Sequence, residues 1–150
     1  MPRTPLYESL ALTLRPETRP ADVRRTAIYS VTANGGKGYV GGRWSPDSTT
    51  ITANIKTFGQ FRLLTDTTPP SGRLLSKGAG GVVFKVGDDL SGLASYELEV
   101  NGQFHLLRYE HKNATLFTER TDRLGPPLRG PATLRLTDQA GNEKVIQVVL

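Results

Sequence analysis

Cysteine is absent from this 150-residue sequence, which excludes disulfide staples, thiol nucleophiles and thiolate metal sites. Long apolar runs are missing too. Nothing approaches the roughly 20 consecutive apolar residues of a membrane span, and Met1-Pro2-Arg3-Thr4-Pro5 lacks the apolar core of a signal peptide. An exported protein would therefore carry its signal outside this chain. Histidine is scarce: His105 and His111 are the only two. Six positions on one strand span about 20 Å, and no HxH, HExxH or third ligand accompanies them, so no zinc site is expected. The serines in Gly42-Arg43-Trp44-Ser45 and Leu90-Ser91-Gly92 do not match a nucleophile elbow. Gly78-Ala79-Gly80-Gly81 precedes a strand and lacks the Lys-Ser/Thr of a P-loop. Helical patterns are nearly missing, and Arg15–Arg24, with two prolines, reads as a loop or single turn. Catalysis by this chain is not expected.

What is present points to an all-β fold. Sixteen Gly and ten Pro punctuate short Val-, Leu-, Ile- and Tyr-rich runs, and 37% hydrophobic residues suffice for a packed core. In the first part, strands are predicted near Leu6–Leu14, Thr26–Thr32, Gly38–Arg43, Thr49–Lys56 and Gln60–Leu64. Asn34-Gly35-Gly36 and Ser45-Pro46-Asp47-Ser48 supply turns between them. Thr65-Asp66-Thr67-Thr68-Pro69-Pro70 then marks a module boundary, because a double proline holds its predecessors extended and cannot donate to a sheet.

Beyond it, predicted strands lie near Arg73–Ser76, Gly81–Val86, Ser95–Val100, Gln103–Glu110, Ala114–Glu119, Ala132–Thr137 and Glu143–Leu150. Tyr96, Leu98 and Val100 alternate with Glu97 and Glu99, the period-2 pattern of a half-buried strand. Asn101-Gly102 is a type I′ hairpin signal. A loop containing Gly125-Pro126-Pro127 and the turn Asp138-Gln139-Ala140-Gly141-Asn142 complete the series. Seven strands in this span predict an immunoglobulin-like or fibronectin-type β-sandwich over residues 66–150, preceded by a small or truncated β module over residues 1–65. Val82, Phe84, Tyr96, Leu98, Leu134, Leu136, Ile146 and Val148 are its expected core.

Charge divides along the same line. Residues 1–65 carry nine Lys/Arg against four Asp/Glu, and residues 66–150 carry ten of each. Arg15, Arg19, Arg24, Arg25, Lys37, Arg43, Lys56 and Arg62 are scattered, matching no nucleic-acid motif, so nucleic acid is not an expected partner. They read either as solvated strand and loop positions or as a face for an anionic polymer. Trp44, the sole tryptophan, stands near Tyr39 and Arg43. That group is either a glycan-contacting cluster or, for Trp44, part of the core. The acidic turn residues Asp66, Asp88, Asp89, Asp138 and Asn142 either close turns through side-chain-to-backbone bonds or converge on Ca²⁺ at one pole of the sandwich.

Several motifs occur in one order. They run from Phe58-Gly59-Gln60-Phe61 to Asp66-Thr67-Thr68-Pro69-Pro70, then Gly87-Asp88-Asp89-Leu90-Ser91-Gly92-Leu93, Tyr96, Val100-Asn101-Gly102, Leu106-Leu107-Arg108-Tyr109-Glu110 and Lys112-Asn113. Leu136-Thr137-Asp138-Gln139-Ala140-Gly141-Asn142 ends the series. With Tyr39-Val40-Gly41-Gly42-Arg43-Trp44 upstream, it resembles the C-terminal non-catalytic immunoglobulin-like region of lysostaphin-like peptidoglycan metallopeptidases of Bacteroidetes-type bacteria, over roughly residues 35–150. The resemblance implies a cell-envelope protein, periplasmic or extracellular, with a zinc catalytic domain upstream in the same polypeptide and peptidoglycan or another envelope polymer as partner. The zinc-ligand motifs of those peptidases are absent here. A calcium-stiffened adhesin or surface-stalk repeat is the alternative expectation.

Overall fold

Alternation with period 2 shapes the longer strands. In Ile51–Thr57 the apolar Ile51, Ala53 and Ile55 are buried while Thr52, Asn54 and Lys56 face out. In Pro131–Asp138, Ala132, Leu134 and Leu136 are buried around an exposed Arg135. One face of such a strand must be removed from water, so the strands assemble into sheets that cover each other. A computed structural model of the chain describes residues 5–118 and 126–150. Glu119 of the predicted strand Ala114–Glu119, and Gly125 of the proline loop, lie outside the described residues.

The chain is all-β and divides into two compact units. The first comprises Met1–Thr67 with Gln139–Gly141, the second Thr68–Asp138 with Asn142–Leu150. The boundary thus falls between Thr67 and Thr68, two residues beyond the predicted one. No described helix is long and apolar enough to cross a membrane.

The first unit contains two antiparallel three-stranded sheets. One joins β1 (Pro5–Leu14), β4 (Arg43–Trp44) and β5 (Ile51–Thr57) in the order β1-β5-β4. The other joins β2 (Thr26–Val31), β3 (Lys37–Gly41) and β6 (Gln60–Thr65) in the order β3-β2-β6. Its core is built on Ile28, Ile51 and Ala53, with Leu12, Leu14, Val40, Trp44, Phe61 and Leu63 packed around them. The Arg15–Arg24 segment gives way to a single 3₁₀ turn at Val23–Arg25. Asp22 caps that turn, accepting the Arg25 N–H (3.2 Å) and pairing with its guanidinium (2.9 Å).

Among the described residues the second unit holds eight strands: β7 (Ser71–Gly78), β8 (Gly81–Gly87), β9 (Leu93–Val100), β10 (Gln103–His105), β11 (Leu107–Glu110), β12 (Thr115–Thr118), β13 (Pro131–Asp138) and β14 (Glu143–Val149). They form two four-stranded antiparallel sheets, β11-β12-β8-β7 and β10-β9-β13-β14, which is the strand distribution of an immunoglobulin-type sandwich. Asn101 and Gly102 take φ of 51° and 77°, as a type I′ turn requires.

The predicted single strand Gln103–Glu110 is two. β10 pairs with β9 (Phe104 opposite Glu99), whereas β11 pairs with β12 in the other sheet (Tyr109 opposite Leu116). Side-chain alternation runs unbroken through the switch. His105, Leu107 and Tyr109 are half-buried, while Phe104, Leu106 and Arg108 are exposed. Only the hydrogen-bonding partner changes, and that leaves no mark on the hydrophobic pattern.

The core centres on Val82, Phe84, Val86, Leu98, Val100, Leu116, Ala132, Leu134 and Leu136. Tyr96, Ile146 and Val148, expected inside, are only partly buried and pack on its margin. Ile146 and Val148 lie on β14, which ends its sheet and so has a neighbour on one side only. Leu134 is fully buried. Leu134→Ala is expected to destabilise the second unit by about 2–5 kcal/mol, from lost transfer energy plus a residual cavity. Urea denaturation measures it, and a loss well below 1 kcal/mol would contradict this core assignment.

Candidate functional site

β5 is the central strand of its sheet, so the residues it turns outward form the middle of an exposed face. Across that face Thr52 lies opposite Thr13 on β1 and Arg43 on β4, and Asn54 lies opposite Ala11. Lys56 follows on the same side of β5. The Thr13 and Thr52 hydroxyls are bonded to each other at 2.8 Å. None of these six residues is acidic. The side chains of Arg43, Asn54 and Lys56 make no hydrogen bond or ion pair with another described residue. Alternate residues along a strand are about 6.7 Å apart, so Thr52 and Lys56 stand about 13 Å apart along β5. At the Arg43 end the face descends into a groove of about 390 Å³, lined by Arg43, Trp44, Pro46, Thr50, Thr52 and Asn54 among others.

The turn beside the groove is held by its own side chains. Asp47 Oδ1 accepts the Ser45 hydroxyl (2.6 Å), the Thr49 hydroxyl (2.9 Å) and the Thr49 N–H (3.2 Å). Ser45 Oγ in turn accepts the N–H groups of Thr49 (3.2 Å) and Thr50 (3.1 Å). The Ser45 hydroxyl, followed by the Thr49 hydroxyl and N–H, holds the Asp47 carboxyl below the ordinary carboxylate range. This carboxylate is engaged in its own turn, and Arg43 has no ion-pair partner among the described residues.

Tyr39, Arg43 and Trp44 are divided between two sheets, Tyr39 on β3 and the other two on β4. Gly41 and Gly42 between them take φ of 91° and 131°, a conformation other residues rarely adopt, and so pass the chain from one sheet to the next. A Cβ on Gly42 would lie 2.7 Å from Ile51 Cγ1, so the crossing also needs glycine for space. Trp44 is opposite the buried Ile51, and its indole N–H donates to the Thr26 carbonyl at 2.9 Å. It packs against the first unit's core with one edge in the groove. Tyr39 is 37% exposed and meets Tyr29 edge to face at 5.5 Å. Its hydroxyl donates to the Gln139 carbonyl (3.4 Å). Of the three, Arg43 alone has a side chain with no hydrogen-bond or ion-pair partner among the described residues.

The acidic turn residues divide as well. In the second unit Asp88 and Asp138 bring carboxylate oxygens within 4.8 Å of each other. Asp138 is buried and spends both oxygens on Asn142, accepting its backbone N–H and its side-chain amide, each at 2.8 Å. Asp88 Oδ2 accepts the N–H groups of Gly92 (2.7 Å) and Leu90 (3.2 Å), while its Oδ1 is buried with no hydrogen-bond partner. Asp89 is exposed and does not join them. In the first unit Asp66 is buried, and its N–H donates to the Arg25 carbonyl at 2.9 Å. Asp138 and Asn142 thus close their turn through side-chain bonds, as Asp88 does with one of its oxygens. Among the described residues neither histidine joins a cluster of metal-ligating side chains. His111 is exposed, with its ring 4.3 Å from that of Tyr109.

Thr52, Asn54 and Lys56 were not singled out from the sequence as a surface. The alternation Ile51-Thr52-Ala53-Asn54-Ile55-Lys56 does place them on one face. That β4 would add Arg43 beside Thr52 has no counterpart in the local pattern.

Because the folded-state pKa of Asp47 is depressed, ionised Asp47 stabilises the turn above its unfolded value of about 3.9, and this contribution disappears as pH falls through the folded value. In a carboxyl NMR titration Asp47 is expected to titrate below the ordinary aspartate range, and Asp47→Asn to flatten the acid limb of the stability profile. Ordinary titration of Asp47 would remove the hydrogen-bond account.

No family model matches the chain, and no curated protein matches it. Among solved structures, apo expansin from Clavibacter michiganensis is similar with a TM-score of 0.43 and 13% identity, over 91% of this chain and 74% of that one. A point mutant of Clavibacter michiganensis expansin in complex with cellohexaose gives 0.42 and 14%, over 82% of this chain and 66% of that one. Likeness at this level carries no argument about function.

Proposed function

We propose that this chain is a non-catalytic accessory module of an exported cell-wall peptidase. In this reading it contacts peptidoglycan or another envelope polymer while the zinc catalytic domain lies upstream in the same polypeptide. The observation that carries the contact role is the outer face of the β1-β5-β4 sheet. Its residues Thr13, Arg43, Thr52, Asn54 and Lys56 include no acid, its two cations have no ion-pair partner among the described residues, and it opens into a groove. It lies in the part of the chain that holds the whole net charge of +5. A positive face of this kind raises the local concentration of an anionic polymer and acts most strongly at low ionic strength. The ordered motif series from Phe58 to Asn142 supports the peptidase context. Purified chain is expected to co-sediment with isolated sacculi at low salt and to be released as salt rises. No retention at low salt would reject the contact role.

One observation favours a second reading, a calcium-stiffened surface repeat. Asp88 Oδ1 is buried without a partner, and a carboxylate oxygen of Asp138 stands within 4.8 Å of an Asp88 oxygen. Two close carboxylates repel unless a cation or proton intervenes, and oxygen-only donors suit Ca²⁺. On this reading Ca²⁺ raises the melting temperature and Asp88→Asn abolishes the rise. An unchanged melting curve after chelation and after Ca²⁺ addition would dismiss it.

A further inference from the structure

The outer strip of β5 has a direction and a charge pattern, and together they define what it can hold. Arg43 and Lys56 stand near its two ends, with Thr52 and Asn54 between them on the same side of the strand. A single small anion cannot reach both cations, because Thr52 and Lys56 alone are about 13 Å apart. An extended chain with recurring anionic groups can. The guanidinium offers a planar fork of donors to a carboxylate or phosphate. The Asn54 amide and Thr52 hydroxyl can bond hydroxyl or amide groups between the charges. The groove at the Arg43 end has room for a bulky substituent on such a chain.

We infer that the outward strip Arg43–Thr52–Asn54–Lys56 is a binding track for an extended hydroxyl-bearing polyanion lying along β5, with Arg43 at the groove as the main anion seat. Charge complementarity selects this occupant. The paired residues of the face hold no acid, Asp47 is engaged inside its own turn, and Arg43 and Lys56 have no ion-pair partner among the described residues. A neutral glycan would leave both cations unmatched. The inference rests on the envelope-contact reading and adds the chemistry of the ligand.

Binding of the purified chain to polygalacturonate, to polyglycerol phosphate and to neutral dextran tests it, with sacculi measured in parallel. The expected result is binding to one or both anionic polymers and not to dextran, weakening as salt rises. Arg43→Gln with Lys56→Gln should lower affinity roughly tenfold or more, the scale of charge-assisted hydrogen bonds. Lys112→Gln with Lys144→Gln removes the same charge from the second unit and should leave affinity nearly unchanged. Preference for polygalacturonate identifies the anion as carboxylate, and preference for polyglycerol phosphate identifies it as phosphate. Equal binding to dextran, or an equal loss in both charge variants, overturns the track. Unchanged melting curves of the variants exclude misfolding as the cause. Sacculus retention that survives Arg43→Gln/Lys56→Gln would keep the envelope reading and reject this site. Polymer binding without any sacculus retention would keep the site and reject the envelope reading.

Discussion

Burying alternate residues of a central strand is the constraint on which the first unit depends. Ile51, Ala53 and Ile55 enter the core only if Thr52, Asn54 and Lys56 are turned to solvent. A shift of one residue in the register of β5 would place a lysine and an asparagine among Ile28, Leu12 and Phe61, at a cost of several kcal/mol per unpaired polar group. The composition of the outer face is therefore a by-product of core packing. The cations near the ends of that face, and the absence of acids between them, are not required by packing.

The same constraint explains why two glycines matter more than the aromatics around them. Gly41 and Gly42 transfer the chain between sheets through consecutive positive φ values. That crossing sends Trp44 inward against Ile51 and leaves Arg43 outward beside Thr52. Read along the chain, a lone tryptophan beside glycines is open to either a glycan-contacting or a core role. Once its strand is paired, its indole becomes a prop between the sheets, donating to the Thr26 carbonyl. Arg43, which reads as one scattered cation among eight, gains its meaning from the strand beside it.

In the second unit, turn chemistry and core packing support each other. Asp138 and Asn142 close the loop between β13 and β14 by two side-chain bonds while both are nearly inaccessible to water. Burial raises the strength of these bonds and the penalty for leaving any of them unmade. Asp88 is the exception: one oxygen is satisfied by the turn and the other is not.

The all-β class, most strand positions, the Asn101-Gly102 hairpin and much of the sandwich core were legible from alternation and turn residues. These are local properties, set by side-chain period and by the φ values that Gly and Asn tolerate. Sheet membership was not legible, because hydrogen-bond partners are chosen across the chain rather than along it. Hence the division of Gln103–Glu110 between two sheets at Leu106 and the pairing of Arg43 with Thr52 appear only in three dimensions. The sequence by itself determined the in-and-out alternation along most strands. Tertiary structure decided which outward residues become neighbours, because a binding surface is assembled from strands distant in sequence and brought side by side by a shared core.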